Sequence, residues 1–200
     1  MRHGADPKAE LILKAQIHAG GRGKGHFKGG LKGGVQICKT AEEVRDYAKR
    51  MVGDVLVTHQ TGPEGALVSK LLVNEGIVIE RELYFAILMD RAYGGPVIVA
   101  STMGGMDIEK VAEKNPEALI KVPVSIKTGL TEKAAAALAT KLGFSGDIAK
   151  RAVKQFLALY DLFIKTDATQ VEINPLAQGY VPGGESGLGV CSVLCVCGCV

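Results

Sequence analysis

Six basic side chains (Lys14, Arg22, Lys24, Lys28, Lys32, Lys39) fall between residues 14 and 39 without one acidic residue, and eight of the fifteen residues from Gly20 to Gly34 are glycine. Glycine lets backbone N–H groups approach the oxygens of an anion, and Arg22 and Lys24 supply charge to hold it. The chemistry this suits is the binding of a small polyanion such as the phosphates of a nucleotide. The segment Ala19-Gly20-Gly21-Arg22-Gly23-Lys24-Gly25 is neither G-x-G-x-x-G nor G-x4-G-K-[ST], so the dinucleotide and P-loop readings do not apply. By itself it reads equally as a flexible surface loop. Lys14 tips the balance, because Leu11, Leu13, Ala15 and Ile17 form one face of a strand over 11–18 and leave Lys14, Gln16 and His18 on the other. Lys14 then projects into a cleft beside the loop, the plain alternative being an exposed lysine at a strand edge.

Oxygen donors recur further on. Glu172 and Asn174 alternate with Val171 and Ile173, so they leave one strand face roughly 7 Å apart and can reach Mg²⁺ or its water shell. The alternative is a pair of solvated polar residues. Glu80 and Glu82 share a face with Tyr84 and suit ribose hydroxyls or a second metal site, although glutamates so placed are more often solvent-facing. His3, His18, His26 and His59 have no metal-ligand spacing, and no nucleophile arrangement is found; surface or loop roles are expected of all four.

Alternating elements must position these groups. A short strand is expected at 35–38, followed by a capping box, Thr40-Ala41-Glu42-Glu43, that opens a helix through about Met51. Strands follow near 55–57, then apolar runs at 66–74, 78–89 and 96–101 that read as a central antiparallel block. A helix near 107–113, a strand near 118–124 and an alanine-rich helix capped by Thr131 and stopped at Gly143 come next. Ile148, Ala152, Phe156, Leu159, Tyr160 and Phe163 mark an amphipathic helix over 146–165, and a strand over 168–174 is closed by Pro175. This mixture is an α+β fold of two lobes around a cleft.

Composition narrows the rest. With 47% apolar and 22% charged residues in a chain of 200, a folded core is expected, and a net charge of +3 argues for neither nucleic acid nor a membrane surface. The longest uncharged stretches, 92–106 and 186–200, fall short of the roughly 20 residues that span a bilayer. The start has no apolar run of a signal peptide and is too short and acidic for a transit peptide. Four of five cysteines (Cys191, Cys195, Cys197, Cys199) stand in the last ten positions, without the C-x2-C pairing of a structural zinc site.

Three segments together, Lys14-Ala-Gln-Ile-His-Ala-Gly-Gly-Arg-Gly-Lys24, Ser101-Thr-Met-Gly-Gly-Met-Asp-Ile-Glu-Lys-Val-Ala112 and Asp167-Ala-Thr-Gln-Val-Glu-Ile-Asn-Pro-Leu176, resemble the succinate–CoA ligase β subunit family, over about 11–177. The resemblance implies an ATP-grasp fold, two lobes clasping ATP or GTP with Mg²⁺ on its phosphates. It assigns Lys14 to phosphate, Gly21, Arg22 and Gly23 to the covering loop, Glu82 to the nucleotide and Asn174 to magnesium. Leu72-Val73-Asn74-Glu75 corresponds to the hinge that meets the purine; many members have glutamate where Asn74 stands. The implied reaction converts nucleoside triphosphate, succinate and CoA to succinyl-CoA, nucleoside diphosphate and phosphate, through a histidine of a partner α subunit. The family is mitochondrial in eukaryotes and cytoplasmic in bacteria.

Departures from the family set the expected organisation. Its members have further residues before the point matching Leu11, including a helix of the first lobe. After Asn-Pro-Leu they continue into an acidic strand with a second magnesium ligand and then a domain that binds the α subunit. Residues 1–10 are therefore expected to be a non-matching start, 11–177 an incomplete ATP-grasp region, and 178–200 an aberrant, disordered tail. The expected function is the nucleotide-binding part of the ligase β subunit. The alternatives are a non-catalytic nucleotide-binding fragment and the corresponding subunit of another acid–CoA ligase.

Overall fold

The computed structural model describes residues 10–104, 108–180, 187–189 and 194–198. They form two units, one of residues 10–77 and one from 78 onward.

In the first unit, β1 (Leu11–Ala15) is followed by the glycine loop, β2 (His26–Phe27), β3 (Val35–Cys38), α1 (Ala41–Met51), β4 (Val55–Val57), β5 (Ala66–Leu67) and β6 (Leu71–Glu75). Two antiparallel sheets result, ordered β3-β1-β6 and β2-β4-β5. The alternation in β1 works as the residue types require. Leu13 and Ala15 are fully buried in a core with Phe27, Leu31, Cys38, Met51, Leu56 and Val68, and Leu11 and Ile17 pack at its margin. Burial, and secondarily Glu43, raises the pKa of the Cys38 thiol, which keeps it protonated and inert.

Helix α1 starts where the capping box lies. The Glu43 N–H donates to Thr40 Oγ1 at 3.2 Å, while the Glu43 carboxylate reaches back one residue further than expected and accepts from the Lys39 N–H at 2.7 Å. Thr40→Ala is expected to cost about 1 kcal/mol of stability, the usual worth of such a cap, read as a lower urea midpoint at unchanged m-value.

The second unit holds β7 (Val78–Asp90), β8 (Gly95–Ser101), α2 (Ile108–Lys114), β9 (Ile120–Pro123), α3 (Glu132–Lys141), α4 (Gly146–Lys165), β10 (Ala168–Tyr180), β11 (Gly187–Gly189) and β12 (Leu194–Gly198). Its sheet runs β11-β10-β7-β8-β9, with β12 also paired to β10, and every pairing is antiparallel. Helices α3 and α4 supply the other half of the core. Ala135, Leu138, Ala139, Ala152, Phe156, Leu159, Tyr160 and Phe163 pack on Leu83, Phe85, Ile87, Ile98, Ala100, Val171 and Ile173.

The structure differs from the sequence expectations in three places. The apolar runs at 66–74 do not join the 78–101 block, because β5 pairs with β4 and β6 with β1. Pro175 does not close the last strand; β10 continues to Tyr180 past a register shift between Ile173 and Leu176, so the proline, which has no N–H to donate, sits in a bulge. Beyond residue 177, where no regular element was expected, β11 and β12 lie against β10. The helix expected from 107 begins at Ile108, residues 105–107 lying outside the described ones.

Candidate functional site

Lys14 occupies the middle strand of its sheet, in register with Val35 on β3 and Leu72 on β6. It is only 6% exposed, which excludes the strand-edge alternative. A buried ammonium group requires anionic or hydrogen-bonding company.

The glycine loop is tied to the end of the same strand. The Arg22 carbonyl accepts from the Gly25 N–H (3.1 Å) and the Gly34 N–H (2.7 Å). Its guanidinium Nη1 donates to the Ala15 carbonyl at 2.9 Å. Arg22 is therefore the tether that seats the loop beside Lys14, a role the sequence reading did not give it. Gly21 has φ +70°, the left-handed region, and a single 3₁₀ turn runs over Arg22–Lys24. The N–H groups of Gly21 and Gly23 have no partner among the described residues.

Asn74 lies on β6, the edge strand of this sheet. Its Nδ2 donates to the Glu75 carbonyl at 3.0 Å, which fixes the amide orientation because that carbonyl can only accept. Oδ1 is left as a buried acceptor with no hydrogen-bond partner among the described residues. Glutamate, with no N–H, could not make this contact.

In the second unit the register of β10 on β7 sorts the candidate oxygens onto one side of the sheet. Phe85 opposes Ile173 and Ile87 opposes Val171 on the side covered by α3 and α4. Glu172 opposes Ala86 and Ala177 opposes Glu82, so Glu82, Tyr84 and Glu172 share the other side, where Ser101 pairs with Tyr84, while Asn174 falls within the register shift between Ile173 and Leu176. The Glu80 carboxylate accepts from Gln178 Nε2 at 3.4 Å. Gln178 also holds Arg81, whose guanidinium caps the end of α3 at the Leu142 (2.6 Å) and Gly143 (3.3 Å) carbonyls.

The Glu172 carboxylate and the Asn174 amide oxygen, two residues apart on β10, are hard donors of the kind Mg²⁺ takes, in the small number it usually takes from protein. Among the described residues no cluster of three or more His, Cys, Asp or Glu side chains could hold a metal by itself. Any such ion would therefore need a ligand's own oxygens. A concavity of about 390 Å³ lined by Gly129, Leu130, Leu157, Ala158, Tyr160 and Asp161 includes none of these residues. The Tyr160 hydroxyl is buried without a hydrogen-bond partner among the described residues, and its burial raises its pKa.

Two neighbours of the loop are not legible in the sequence. The His59 imidazole lies against the α-carbon of Gly21, and Gln60 against that of Gly20. The residues are 40 apart for the Gly20–Gln60 contact, and no local pattern announces it.

The chain belongs to the ATP-grasp domain family, whose model matches residues 6–178 and so covers both units. Within it, the chain is 53% identical over 169 residues to the hydrogenosomal ADP-forming succinate–CoA ligase subunit β of Neocallimastix frontalis, covering 84% of this chain and 39% of that one. It is 51% identical over 176 residues to the mitochondrial GDP-forming subunit β of Sus scrofa, covering 88% of this chain and 40% of that one. The chain thus spans about two fifths of the length of these curated relatives. The structure of ATP citrate lyase from Methanothrix soehngenii in complex with citrate and coenzyme A shares the fold, with a TM-score of 0.57 over 88% of this chain and 37% of that one at 23% identity. No helix among the described residues is long and apolar enough to cross a membrane.

Proposed function

We propose that this chain is the nucleotide-binding part of a succinate–CoA ligase β subunit, binding ATP or GTP for a reaction completed with a partner α subunit. The observation that carries the reading is an identity of 53% and 51% to ADP- and GDP-forming β subunits, spread over most of the chain. The buried Lys14 and the tethered glycine loop give that identity a chemical meaning.

In this reading the Lys14 ammonium neutralises phosphate oxygens, and the Gly21, Arg22 and Gly23 segment donates N–H groups to them. Such fixed donors suit phosphoryl transfer, in which charge on the phosphate oxygens must be held in place. Asn74 Oδ1 accepts from a donor on the purine, and Glu82 meets the nucleotide. Asn174, with Glu172 beside it, holds Mg²⁺, whose role when bound is to neutralise phosphate charge. The terminal phosphoryl group passes to a histidine of the α subunit and then to succinate, and CoA displaces phosphate to give the thioester. Succinate and CoA meet the complete complex; neither nucleic acid nor a membrane takes part. The compartment is the mitochondrial matrix if the source is eukaryotic and the cytoplasm if it is bacterial.

Lys14→Ala tests the reading. Affinity for Mg-ATP or Mg-GTP, measured by calorimetric titration, is expected to fall at least tenfold, about 1.4 kcal/mol. Equal affinity in the variant and the unsubstituted chain removes the phosphate role.

A further inference from the structure

The glycine loop is gripped by a turn remote in sequence. In Thr58–Thr61 the Thr58 N–H donates to Thr61 Oγ1 (2.9 Å), the Thr61 hydroxyl donates to the Thr58 carbonyl (3.2 Å), and the N–H groups of Gln60 and Thr61 donate to Thr58 Oγ1 (3.2 and 3.3 Å). Thr58 is 6% exposed, so the turn is rooted in the first unit. Two side chains leave it toward the loop. Gln60 Oε1 accepts from the Gly20 N–H at 2.6 Å. Its amide fills the space a Gly20 side chain would need, since a Cβ there would lie 3.0 Å from both Oε1 and Nε2. His59 does the same at Gly21, where a Cβ would lie 2.5 Å from Nδ1 and 2.6 Å from Cε1. Around Gly23 nothing stands within 4 Å of such a position.

The loop's glycines therefore answer two different demands. Gly21 has φ +70° and the His59 ring against its α-carbon, so a side chain there is strained, whereas at Gly20 a side chain would have to displace the Gln60 amide. Gly23 has open space beside it and an N–H with no partner among the described residues, which is where an anion's oxygens can reach the backbone.

We infer that the Thr58–Thr61 turn is the positioning element of the glycine loop, with Gln60 holding Gly20 so that the loop stays in the form that receives phosphate. The inference rests on the proposed reading of the loop as a phosphate site. A chain so rich in glycine samples many conformations, and the affinity of any ligand falls by the fraction of loops not in the competent one. One side-chain acceptor on the first loop amide removes much of that penalty before the ligand arrives.

The test uses the full chain of 200 residues, titrated with Mg-ATP and with adenosine. Gln60→Ala, and Gln60→Met, which keeps the length of the side chain but no acceptor, are expected to weaken Mg-ATP about tenfold while adenosine changes less than about twofold. Gly23→Ala is expected to leave the unfolding temperature unchanged and to weaken Mg-ATP. If Lys14→Ala weakens Mg-ATP but both Gln60 variants bind like the unsubstituted chain, the turn has no positioning role. Equal losses for Mg-ATP and adenosine overturn it too, since they signal general damage. Failure of the unsubstituted chain to bind, or an unaffected Lys14→Ala, overturns the phosphate reading itself.

Discussion

Phe156→Ala is expected to lower the stability of the second unit by about 3–5 kcal/mol, the range for truncating a large buried aromatic side chain. Phe156 is fully buried and stacks on Phe85 with ring centroids 4.8 Å apart and planes 6° from parallel. Removing the ring loses its transfer free energy, opens a cavity between α4 and the sheet, and strips Phe85 of its partner. Phe85 sits on β7 three residues from Glu82, and its register partner Ile173 immediately precedes Asn174. The cavity thus forms directly beneath the strands that carry the candidate oxygens. A urea titration of the variant reads the effect as a lower midpoint, and Ile164→Ala on the exposed side of α4, where Ile164 is 48% exposed, serves as the near-neutral comparison. A loss below about 1.5 kcal/mol, the size of a volume-conserving core swap, would mean that α4 is not seated on the sheet as described.

What the sequence made legible is what is decided locally. The Thr40 and Thr131 caps, the stop at Gly143 with φ +79°, and the apolar stripe of α4 each lie within one element, so spacing alone reveals them. Strand partners are decided by contacts far along the chain, and there the pattern is silent. Leu71–Glu75 has the same composition whether it pairs with β7 or with β1, 60 residues earlier, and only the folded chain distinguishes the two. The alternation of Glu172 with Val171 and Ile173 is readable in the sequence, but that Glu82 and Tyr84 share the side of Glu172 follows from the β7–β10 register. Pro175 illustrates the opposite error: a residue that disfavours strands was absorbed by a bulge. Arg22 is legible in the sequence as a charge but acts also as a tether, because its acceptor, the Ala15 carbonyl, is offered by the backbone. The Gln60 contact escaped for the same reason that β6 did.

Gly104→Ala is the variant in which packing and proposed chemistry meet most directly, with an expected loss of about 3 kcal/mol, the upper end for forcing a new methyl group into a filled site. Gly104 lies in the Ser101–Gly104 segment and donates its N–H to the Glu82 carbonyl at 3.1 Å. A Cβ built on it would come within 2.6 Å of the Leu83 nitrogen and meet the Leu83 carbonyl group as well. These are backbone atoms, which no rotamer change moves aside, so β7 itself must shift at Glu82 and Leu83. Gly95 provides the contrast on the neighbouring strand. The nearest atom to its added Cβ, the Val124 carbonyl oxygen, is 3.8 Å away, and Gly95→Ala is expected to change stability by no more than about 0.5 kcal/mol. If Glu82 contacts the nucleotide, Gly104→Ala also weakens Mg-nucleotide binding, since the same displacement moves the carboxylate. Glu82→Gln separates the two effects, because Glu82 is exposed and its neutralisation leaves the packing intact. It is expected to lower affinity while the urea midpoint stays where it was. Reduced stability in Gly104→Ala with affinity untouched in both variants would leave Gly104 a purely structural glycine and remove Glu82 from the site.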